Sequence, residues 1–442
     1  MYSIKGKYST THIMTDEVEI DSKVYEQLLN VVNCHIFTND SIIMPDYHYG
    51  KGCTIGFTME ITDKVVPFLI GVDIGCNMLY VNFNKHLDLD KRSWLEIDAT
   101  VRKHIPMAYG HHKSPQLDFE NDFPWALSTQ QMLIATSQLN KRLGTEYKAE
   151  PYTSKWFFDM CDKINIKPKV AVNSLGSLGG GNHFIEFGHS KNTGNTGVTL
   201  HSGSRGFGAK LATYWQKKAK EHMKKLYITD RNKEIMKIKC DAPREHWDTL
   251  IKATKKPSTP TSLEYLEGED MYGYLHGMLF CQIYAHKNIL DMASIILDLM
   301  DLPQSLMLSE NTVHTVHNYL NFDDWIIRKG AVQSLTGQRM LIPFNMEDGI
   351  LICEGKSNEE WYKSAPHGAG RLFGRGEMKR NKDIDVKKIR ERMNKKGIFL
   401  SVVPKDEVKE AYKDPAFIEE AIKPTATIVD RLIPVLTLKA KD

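Results

Sequence analysis

The chain has 442 residues, a formal net charge of +3, 41% hydrophobic residues and 26% charged residues. These values are typical of a globular protein with a sizeable core, and they exclude a disordered, fibrous or uniformly basic chain. Because the net charge is small for this length, a surface that binds nucleic acid would have to be a local basic patch.

The seven cysteines are scattered along the chain and are never spaced as CxxC pairs. This usage favours a reducing compartment, and we expect a cytoplasmic protein. Residues 1–14 contain no apolar core like that of a signal peptide, and charged residues interrupt the longest apolar stretches. We therefore expect neither export nor a role at membranes.

Short apolar runs separated by glycine predict strands in the first part of the chain. These runs are rich in β-branched and aromatic residues, and they cover 54–61, 63–74 and 76–83. Asp73 and Cys76 would lie in the glycine-containing break between two strands, where both side chains can face a common ion. Further along, the pattern predicts a helix over 93–106 and a surface loop over 111–125, in which His111 and His112 are solvated rather than ligands.

The second part of the chain has a mainly helical pattern. Apolar residues at helical spacing predict helices over 209–227 and 272–300. The lysines of the first helix could follow RNA phosphates, but a solvated face is the favoured interpretation. In the second helix, the side chains expected in the core are Leu275, Met278, Leu279, Ile283 and Met292.

Strands and turns are predicted over 326–354, and a last strand over 434–440. The composition of 252–270 predicts a flexible connection, which need not divide domains. The overall prediction is an α+β fold: one domain over 1–442, with mixed or antiparallel sheets, surrounding helices and no internal repeat.

Five short strings, four of which contain glycine, carry residue types that bind metals. They are GVDIGCNM at 71–78, GGGNHFIEFG at 179–188, HSGSRGFG at 201–208, VHNY at 316–319 and SAPHGAGR at 364–371. One carboxylate, one thiol and several imidazoles are the ligands that borderline-soft divalent transition ions prefer. Glycine lets the backbone approach phosphate oxygens closely. The strings therefore predict a metal-dependent site for nucleotidyl transfer.

A structural explanation of each string competes with this prediction. Alone, GGGNH would be a tight turn before a strand, with His183 as a hydrogen-bonded core histidine. That explanation must be repeated independently for five strings, whereas one site explains them all. The candidate residues are Asp73, Cys76, His183, His201, His317 and His367.

These strings resemble those of the RtcB-type RNA ligases, which join RNA ends with GTP and manganese. The resemblance begins at MPDYHYGKGCTIGF, 44–57, and continues through YLHGMLFCQIYAHKN, 274–288, and RKGA, 328–331. It ends with AYKD at 411–414 and Lys439. HSGSRG and HGAGR are its most specific parts, and the weaker matches follow in the family's order.

The resemblance implies a two-metal site. Two manganese ions would share the Cys76 thiolate, with Asp73 and His183 completing the protein ligands of the first ion. His201 and His317 would complete those of the second. A thiolate shared by two cations loses its proton readily, and paired ions neutralise phosphate oxygens during transfer.

The resemblance also assigns the nucleotide site. His367 would be the nucleophile that attacks the α-phosphorus of GTP, Tyr412 would stack on guanine, and Lys439 would hydrogen-bond to its edge. The residues expected to bind GTP are Asn182, His183, Glu186, His317, Asn318, Pro343, Asn345, Met346, Gly368, Ala369, Gly370, Tyr412 and Lys439. The candidates for RNA phosphates are Arg205, Lys329, Arg371 and Arg375, with surface ion pairing as the alternative for Lys329 and Arg375.

One segment departs from the family's pattern. Where the family usually has PGSMGTASY, this chain has PFNMEDGIL at 343–351, and RKGA is followed by VQS. Because this loop helps to hold the nucleotide, the change bears on GTP specificity and phosphate contacts. We interpret the chain as a divergent member of the family.

The expected activity is joining of an RNA 3′-phosphate or 2′,3′-cyclic phosphate end to a 5′-hydroxyl end. The expected partners are broken RNA, such as tRNA halves, GTP and, by the same resemblance, an archease-like activator. Two alternatives stay open. One is a metal-dependent phosphodiesterase or an enzyme that caps RNA 3′ ends, and the other is a catalytically silent RNA-binding protein.

Overall fold

The computed structural model describes residues 1–15, 20–254 and 262–441. Its strands are β1 (Tyr2–Lys5), β2 (Thr10–Ile13), β3 (Ser41–His48), β4 (Ile55–Glu60), β5 (Lys64–Val65), β6 (Asn77–Lys85), β7 (Phe184–Ser190), β8 (Thr196–Ser202), β9 (Leu266–Glu267), β10 (Val313–Val316), β11 (Tyr319–Leu320), β12 (Ile326–Lys329), β13 (Ala331–Gln333), β14 (Arg339–Pro343), β15 (Ile350–Gly355), β16 (Ser364–Pro366) and β17 (Ala426–Leu438). Its helices are α1 (Ser22–Val32), α2 (Lys91–His104), α3 (Trp125–Leu143), α4 (Ser154–Lys163), α5 (Pro168–Asn173), α6 (Arg205–Asp241), α7 (Trp247–Ala253), α8 (Gly268–Leu299), α9 (Arg375–Arg380), α10 (Val386–Lys395) and α11 (Pro415–Ala421).

Two larger sheets form the frame of the fold. One has six strands in the order β1-β2-β3-β4-β12-β11, and the other has seven in the order β10-β6-β8-β7-β17-β15-β14. Neighbouring strands are antiparallel, except that β2 and β3 are parallel. Two short pairs, β13 with β16 and β5 with β9, complete the strand pairing of the described residues. The fold is therefore α+β with mixed sheets, as the sequence predicted.

The long helix α8 packs against the seven-stranded sheet. It contacts β6 and β8 on one side and α6 on another. Met278 and Met292 are fully buried, which confirms their packing role, and Leu275 is also buried. Leu279 and Ile283 are only partly buried against the same core, so the buried stripe is shifted from the predicted one.

Most predicted elements agree with the structure, with one clear error. The predicted helices over 93–106, 209–227 and 272–300 correspond to α2, α6 and α8. The predicted strand over 63–74 is wrong: only Lys64–Val65 pair, and a 3-10 turn at Pro67–Leu69 follows. Proline has no N–H for a ladder, and this one starts the turn, which explains the early end of the strand.

The predicted flexible connection over 252–270 falls partly outside the described residues. Its first residues end α7, and its last residues form β9 and the start of α8. Residues 255–261 lie outside the described part of the chain. Within the described ranges, no helix combines the length and apolar character that a membrane span needs.

Candidate active site

Five neighbouring strands of the seven-stranded sheet bring functional residues to one edge. Cys76 directly precedes β6, His183 directly precedes β7, and His201 lies next to the end of β8. His317 and Lys439 directly follow β10 and β17. Because neighbouring strands are antiparallel, the start of one lies beside the end of the next. Residues far apart in sequence therefore converge, and His201 pairs with Phe184 and Met78 across the sheet.

The thiol and the imidazoles form one cluster. Cys76 Sγ lies 3.5 Å from His183 Nε2 and 3.2 Å from His201 Nε2. His201 Nε2 lies 3.2 Å from His317 Nε2. His183 Nε2 lies 2.9 Å from Asp73 Oδ2, so the carboxylate joins the same group. The structure thus brings together all five residues predicted to bind metal.

The donor atoms of this cluster fit a transition-metal ion. Two ligands of one tetrahedral ion, with bonds of about 2.0–2.3 Å, lie on the order of 3.4 Å apart. The measured separations of 3.2 and 3.5 Å around Cys76 agree with that spacing. Burial and the neighbouring imidazoles lower the pKa values of His201 and His317 well below the ordinary range. Both rings are therefore neutral and have a lone pair for a cation.

Hydrogen bonds behind the cluster orient its ligands. His183 Nδ1 donates to the Leu178 carbonyl at 3.0 Å, which leaves Nε2 directed at Asp73 and Cys76. Asn288 of α8, which is fully buried, donates from Nδ2 to Ser202 Oγ and to the Gly203 carbonyl. The bond to Leu178 fixes the ring orientation of His183, and Asn288 holds the backbone that follows His201. Sequence reasoning did not single out Asn288, although it ends the string at 274–288 that resembles the family.

His367 is held by a buried carboxylate that the sequence analysis missed. Its Nδ1 donates to Asp46 Oδ2 at 2.8 Å, and the Gly368 N–H donates to the same oxygen at 3.2 Å. Asp46 is 0% exposed. The His367 ring lies 5.1 Å from that of His317, between centroids. A proton fixed on Nδ1 leaves the Nε2 lone pair free, as a nucleophile requires. Asp46 lies in the string at 44–57 that resembles the family, and this position is the sequence signal that could have identified it.

A cavity of about 290 Å³ opens beside these residues. It lies between the two larger sheets, with His48 and Ile55 from one and Glu186 and Thr437 from the other among its lining residues. It is lined by the predicted residues Asp73, Cys76, Asn182, Glu186, His201, His317, Asn318, Pro343, Asn345, Met346, His367, Gly368, Ala369, Gly370, Tyr412 and Lys439. His183 reaches the same site through its contacts with Asp73 and Cys76.

Glu407 organises the far wall of the cavity, and the sequence analysis missed it as well. It accepts hydrogen bonds from Lys439 Nζ at 2.7 Å and from the Tyr412 hydroxyl at 2.9 Å. Arg371 and Arg375 form ion pairs with its other oxygen. Burial acts to raise the pKa of Glu407, but the surrounding cations outweigh burial and hold it at about 2. Tyr412 and Lys439 are therefore positioned by a carboxylate that stays ionised.

A second buried carboxyl group, Glu186 of β7, also lines the cavity. Burial raises the pKa of Glu186 to about 7, although Thr437 and Lys439 act to lower it. Thr437 Oγ1 donates to Glu186 Oε2 at 2.8 Å. Glu186 can therefore offer either a proton or a lone pair near neutral pH.

Two of the predicted phosphate-binding cations are directed into the protein. Lys329 is buried and donates to the carbonyls of Lys51 and Phe68, each at 2.9 Å. Burial lowers its pKa to about 8. Arg205 donates to Ser177 Oγ at 3.0 Å and to the Ala108 carbonyl at 2.8 Å. Both side chains hold backbone segments near the site in this structure. His111 and His112 lie outside the cluster, and His112 Nε2 is hydrogen-bonded to the Gly176 carbonyl.

The departing segment, 343–351, forms part of the cavity wall. Phe344 and Ile350 line the cavity with large apolar side chains. Asn345 Oδ1 accepts from the backbone N–H groups of Glu347 and Asp348, so this oxygen is used inside its own turn. The buried carboxylate of Glu347 pairs with Arg392 and Lys396. The segment therefore has few polar groups left to offer a nucleotide.

The site combines a metal-capable cluster of thiol, imidazole and carboxylate groups with a carboxylate-oriented histidine, an arrangement that group-transfer chemistry can use. Residues 27–440 match the family described as tRNA-splicing ligase RtcB, and the chain belongs to this family of ligases. RNA-splicing ligase RtcB1 and RNA-splicing ligase RtcB, from two strains of Escherichia coli, are each 27% identical over 381 residues, which cover 83% of this chain and 82% of theirs. The tRNA-splicing ligase RtcB of Aeropyrum pernix is 23% identical over 449 residues, covering 89% of this chain and 86% of its own. These values describe a divergent member.

Proposed function

We propose that this protein is a GTP- and manganese-dependent RNA ligase. It joins an RNA end that carries a 3′-phosphate or a 2′,3′-cyclic phosphate to an end that carries a 5′-hydroxyl, in RNA repair or tRNA splicing. The observation that carries the proposal is His367, held by Asp46 at 2.8 Å on the wall of a cavity next to the Cys76 cluster. Membership of the RtcB family supports the choice of RNA as substrate.

The first proposed step places GMP on His367. The Nε2 lone pair attacks the α-phosphorus of GTP, an N–P bond forms, and the bond to the β-phosphate oxygen breaks to release pyrophosphate. The ring gains positive charge as the bond forms, and the Asp46 carboxylate stabilises that charge through Nδ1. Tyr412 and Lys439, which Glu407 holds in place, would contact the guanine base.

The later proposed steps use this adduct to activate an RNA end. Water first opens a cyclic phosphate by attacking its phosphorus, and the bond to the 2′-oxygen breaks to leave a 3′-phosphate and a 2′-hydroxyl. An oxygen of the 3′-phosphate then attacks the GMP phosphorus, and the N–P bond to His367 breaks. The 5′-hydroxyl oxygen then attacks the RNA 3′-phosphorus, loses its proton, and GMP leaves. Activation is needed because a phosphate monoester has no good leaving group, whereas the mixed diphosphate has GMP.

The proposed ligands of two manganese ions are the residues of the Cys76 cluster. Cys76 would bridge the ions, Asp73 and His183 would complete the first site, and His201 and His317 the second. When bound, the ions would supply positive charge to phosphate oxygens as phosphoryl groups exchange. The separations of 3.2 to 3.5 Å between the cluster's donor atoms support this assignment.

The decisive experiment incubates the protein with α-³²P-labelled GTP and Mn²⁺, followed by denaturing electrophoresis. We expect a labelled protein band that acid removes, because a phosphoramidate is acid-labile. A second gel with a labelled 3′-phosphate RNA and a 5′-hydroxyl RNA should show a joined product. A product that only gains GMP would favour a capping enzyme. Absence of the protein adduct would contradict the proposal.

Asp46→Asn should slow formation of the adduct strongly. An asparagine amide can present its N–H to Nδ1, which stabilises the tautomer with the proton on Nε2 and removes the attacking lone pair. A comparable change in a catalytic triad costs on the order of 10⁴-fold in rate, so we expect a loss of about 10²- to 10⁴-fold. Metal analysis provides the control, since Asp46 does not contact the Cys76 cluster. A rate within threefold of the unmodified protein would contradict the role of Asp46.

The departing segment 343–351, with Phe344 and Ile350 on the cavity wall, predicts weak discrimination among nucleotides. Each polar contact that Phe344 or Ile350 replaces would remove about 1 kcal/mol of selectivity for GTP. Unlabelled ATP should therefore compete appreciably with labelled GTP for adduct formation. Ile350→Ser, which restores a polar group on the cavity wall, should raise the GTP preference. Strong GTP selectivity in the unmodified protein would show that Tyr412 and Lys439 are sufficient.

A further inference from the structure

Tyr109 lies at the tip of a loop, residues 106–113, beside the active site. It is 102% exposed relative to a free tyrosine, so its ring has no packing role in the described protein. A fully exposed aromatic ring offers a free π face on which a planar partner can stack.

The loop that carries Tyr109 is firmly anchored on both sides. Before the tip, the Leu178 N–H donates to the Pro106 carbonyl at 2.9 Å, and the Ala108 N–H donates to the Gly179 carbonyl at 2.8 Å. Arg205 also donates to the Ala108 carbonyl. After the tip, the His112 N–H donates to the Asn173 carbonyl at 2.9 Å. Ala108 has a φ of +56°, a conformation that alanine rarely adopts. These bonds present the tyrosine from a rigid base.

The anchor of this loop is the glycine string that carries a proposed metal ligand. A Cβ atom on Gly180 would lie 3.5 Å from Ala108 Cα, and one on Gly179 would lie 2.4 Å from His183 Nδ1. Asn182, in the same string, lines the cavity. Tyr109 therefore directly follows Ala108, which packs on the glycine string at the rim of the cavity.

The charge around Tyr109 selects the kind of ligand. Residues 106–113 contain two histidines and a lysine but no carboxylate, and His111 and Lys113 are exposed. Arg375 lies near the same rim, since its Nη1 would be 3.8 Å from a Cβ atom on Gly181, but its charge is balanced by ion pairs with Asp406 and Glu407. The exposed ring of Tyr109 near the exposed Lys113 matches a nucleobase next to a phosphate.

We propose that Tyr109 is a stacking platform for an unpaired base of the RNA that enters the active site. The inference rests on the proposed function for the identity of the ligand, single-stranded RNA. Stacking on a ring face tolerates every base, which suits an enzyme that must accept ends of differing sequence. Lys113 would contact the phosphate next to the stacked base. Tyr109 is thus a positioning residue, and it takes no part in the transfer of GMP to His367.

Two variants of Tyr109 test this proposal. Tyr109→Ala removes the ring, and Tyr109→Phe keeps it. Both should fold, because the ring is exposed. The probe is a short single-stranded RNA with a 3′-phosphate and a 5′-fluorescein, and its affinity is measured by fluorescence anisotropy without GTP. We expect Tyr109→Ala to raise the Kd about tenfold, since stacking of one base is worth this order of affinity, and Tyr109→Phe to stay within about twofold. Tyr2→Ala, on an exposed tyrosine of the edge strand β1, is the matched control.

Further readouts separate stacking from other roles. With 2-aminopurine in the last nucleotides of the RNA, binding should quench the fluorescence in the unmodified and Tyr109→Phe proteins and not in Tyr109→Ala. Adduct formation from labelled GTP should be equal in all of them, while the KM for RNA in joining rises in Tyr109→Ala. An unchanged Kd in Tyr109→Ala, or an equal loss in Tyr109→Phe, would overturn the proposal. If the unmodified protein forms no adduct, the proposed function fails, but the anisotropy comparison still decides the role of Tyr109.

Discussion

His367→Ala should abolish the labelled GMP adduct while the protein stays folded and keeps its metal content. Alanine removes the only atom proposed to bond to GMP, whereas the ligands around Cys76 remain in place. Joining of RNA ends should disappear with the adduct, because the RNA 3′-phosphate would have no activated GMP to attack. Electrophoresis after incubation with labelled GTP measures the adduct, and circular dichroism checks the fold.

The structure also supplies a competing nucleophile against which to judge His367. His48 lines the same cavity, and its Nδ1 is hydrogen-bonded to the Asp46 carbonyl at 3.0 Å. Burial lowers the pKa of His48 to about 4, so the His48 imidazole is neutral near pH 7. We expect His48→Ala to form the adduct and His367→Ala to lack it. The reverse pattern would move the nucleophile to His48 and contradict the proposed role of His367.

The convergence of the metal ligands was predicted because one site explains five strings, and strand order played no part in that prediction. Cys76 and His183 each directly precede a strand, and they meet at one end of the sheet because β8, which is antiparallel to both strands, lies between β6 and β7. The error over 63–74 did not disturb this prediction, since the break containing Asp73 and Cys76 still precedes β6. What the sequence could not supply was the separation of the donor atoms, which depends on the register of β6, β7 and β8.

The two carboxylates that orient the site residues, Asp46 and Glu407, could not be predicted from sequence, for a different reason. Asp46 lies 321 residues from His367, in β3, whereas His367 directly follows β16; Glu407 lies 32 residues from Lys439. A single carboxylate in sequence has no local pattern that identifies its partner, because the pairing depends on how distant elements pack together. Lys329 shows the converse, because a lysine that looked available for phosphates is buried and bonded to backbone carbonyls.

The contribution of the segment 343–351 to the site was predicted only in part. Its departure from the family's pattern correctly directed attention to the cavity wall, where Phe344 and Ile350 are found. The role expected for the Asn345 side chain stays a prediction, since its Oδ1 closes a turn within the segment. Short polar side chains often satisfy neighbouring backbone groups in this way, and sequence alone does not separate that use from ligand binding.

Cys76→Ala should remove both metal ions and, with them, both adduct formation and RNA joining. Cys76 Sγ contacts one histidine from each proposed ion's set, His183 at 3.5 Å and His201 at 3.2 Å. Burial and Asp73 raise the pKa of this thiol well above its ordinary range, so it is a neutral thiol unless cations hold it as a thiolate. A residue with that dependence on cations is expected to be essential to both ions.

The competing explanation is that Cys76 only fills space in the core. It is 1% exposed, and so its loss would then cost about 1–2 kcal/mol of stability and leave the metal content unchanged. Cys161→Ala is the matched control, because that cysteine is equally buried but lies in a hydrophobic cluster away from the metal ligands.

His317→Ala should lose mainly one ion, since the Nε2 atom of His317 contacts His201 and not the shared thiol. Metal analysis of the purified variants, with circular dichroism to check folding, measures these outcomes. A folded Cys76→Ala protein that retains two manganese ions would rule out the bridging thiolate, whereas its loss of both ions beside an unaffected Cys161→Ala would establish that the thiol holds the pair.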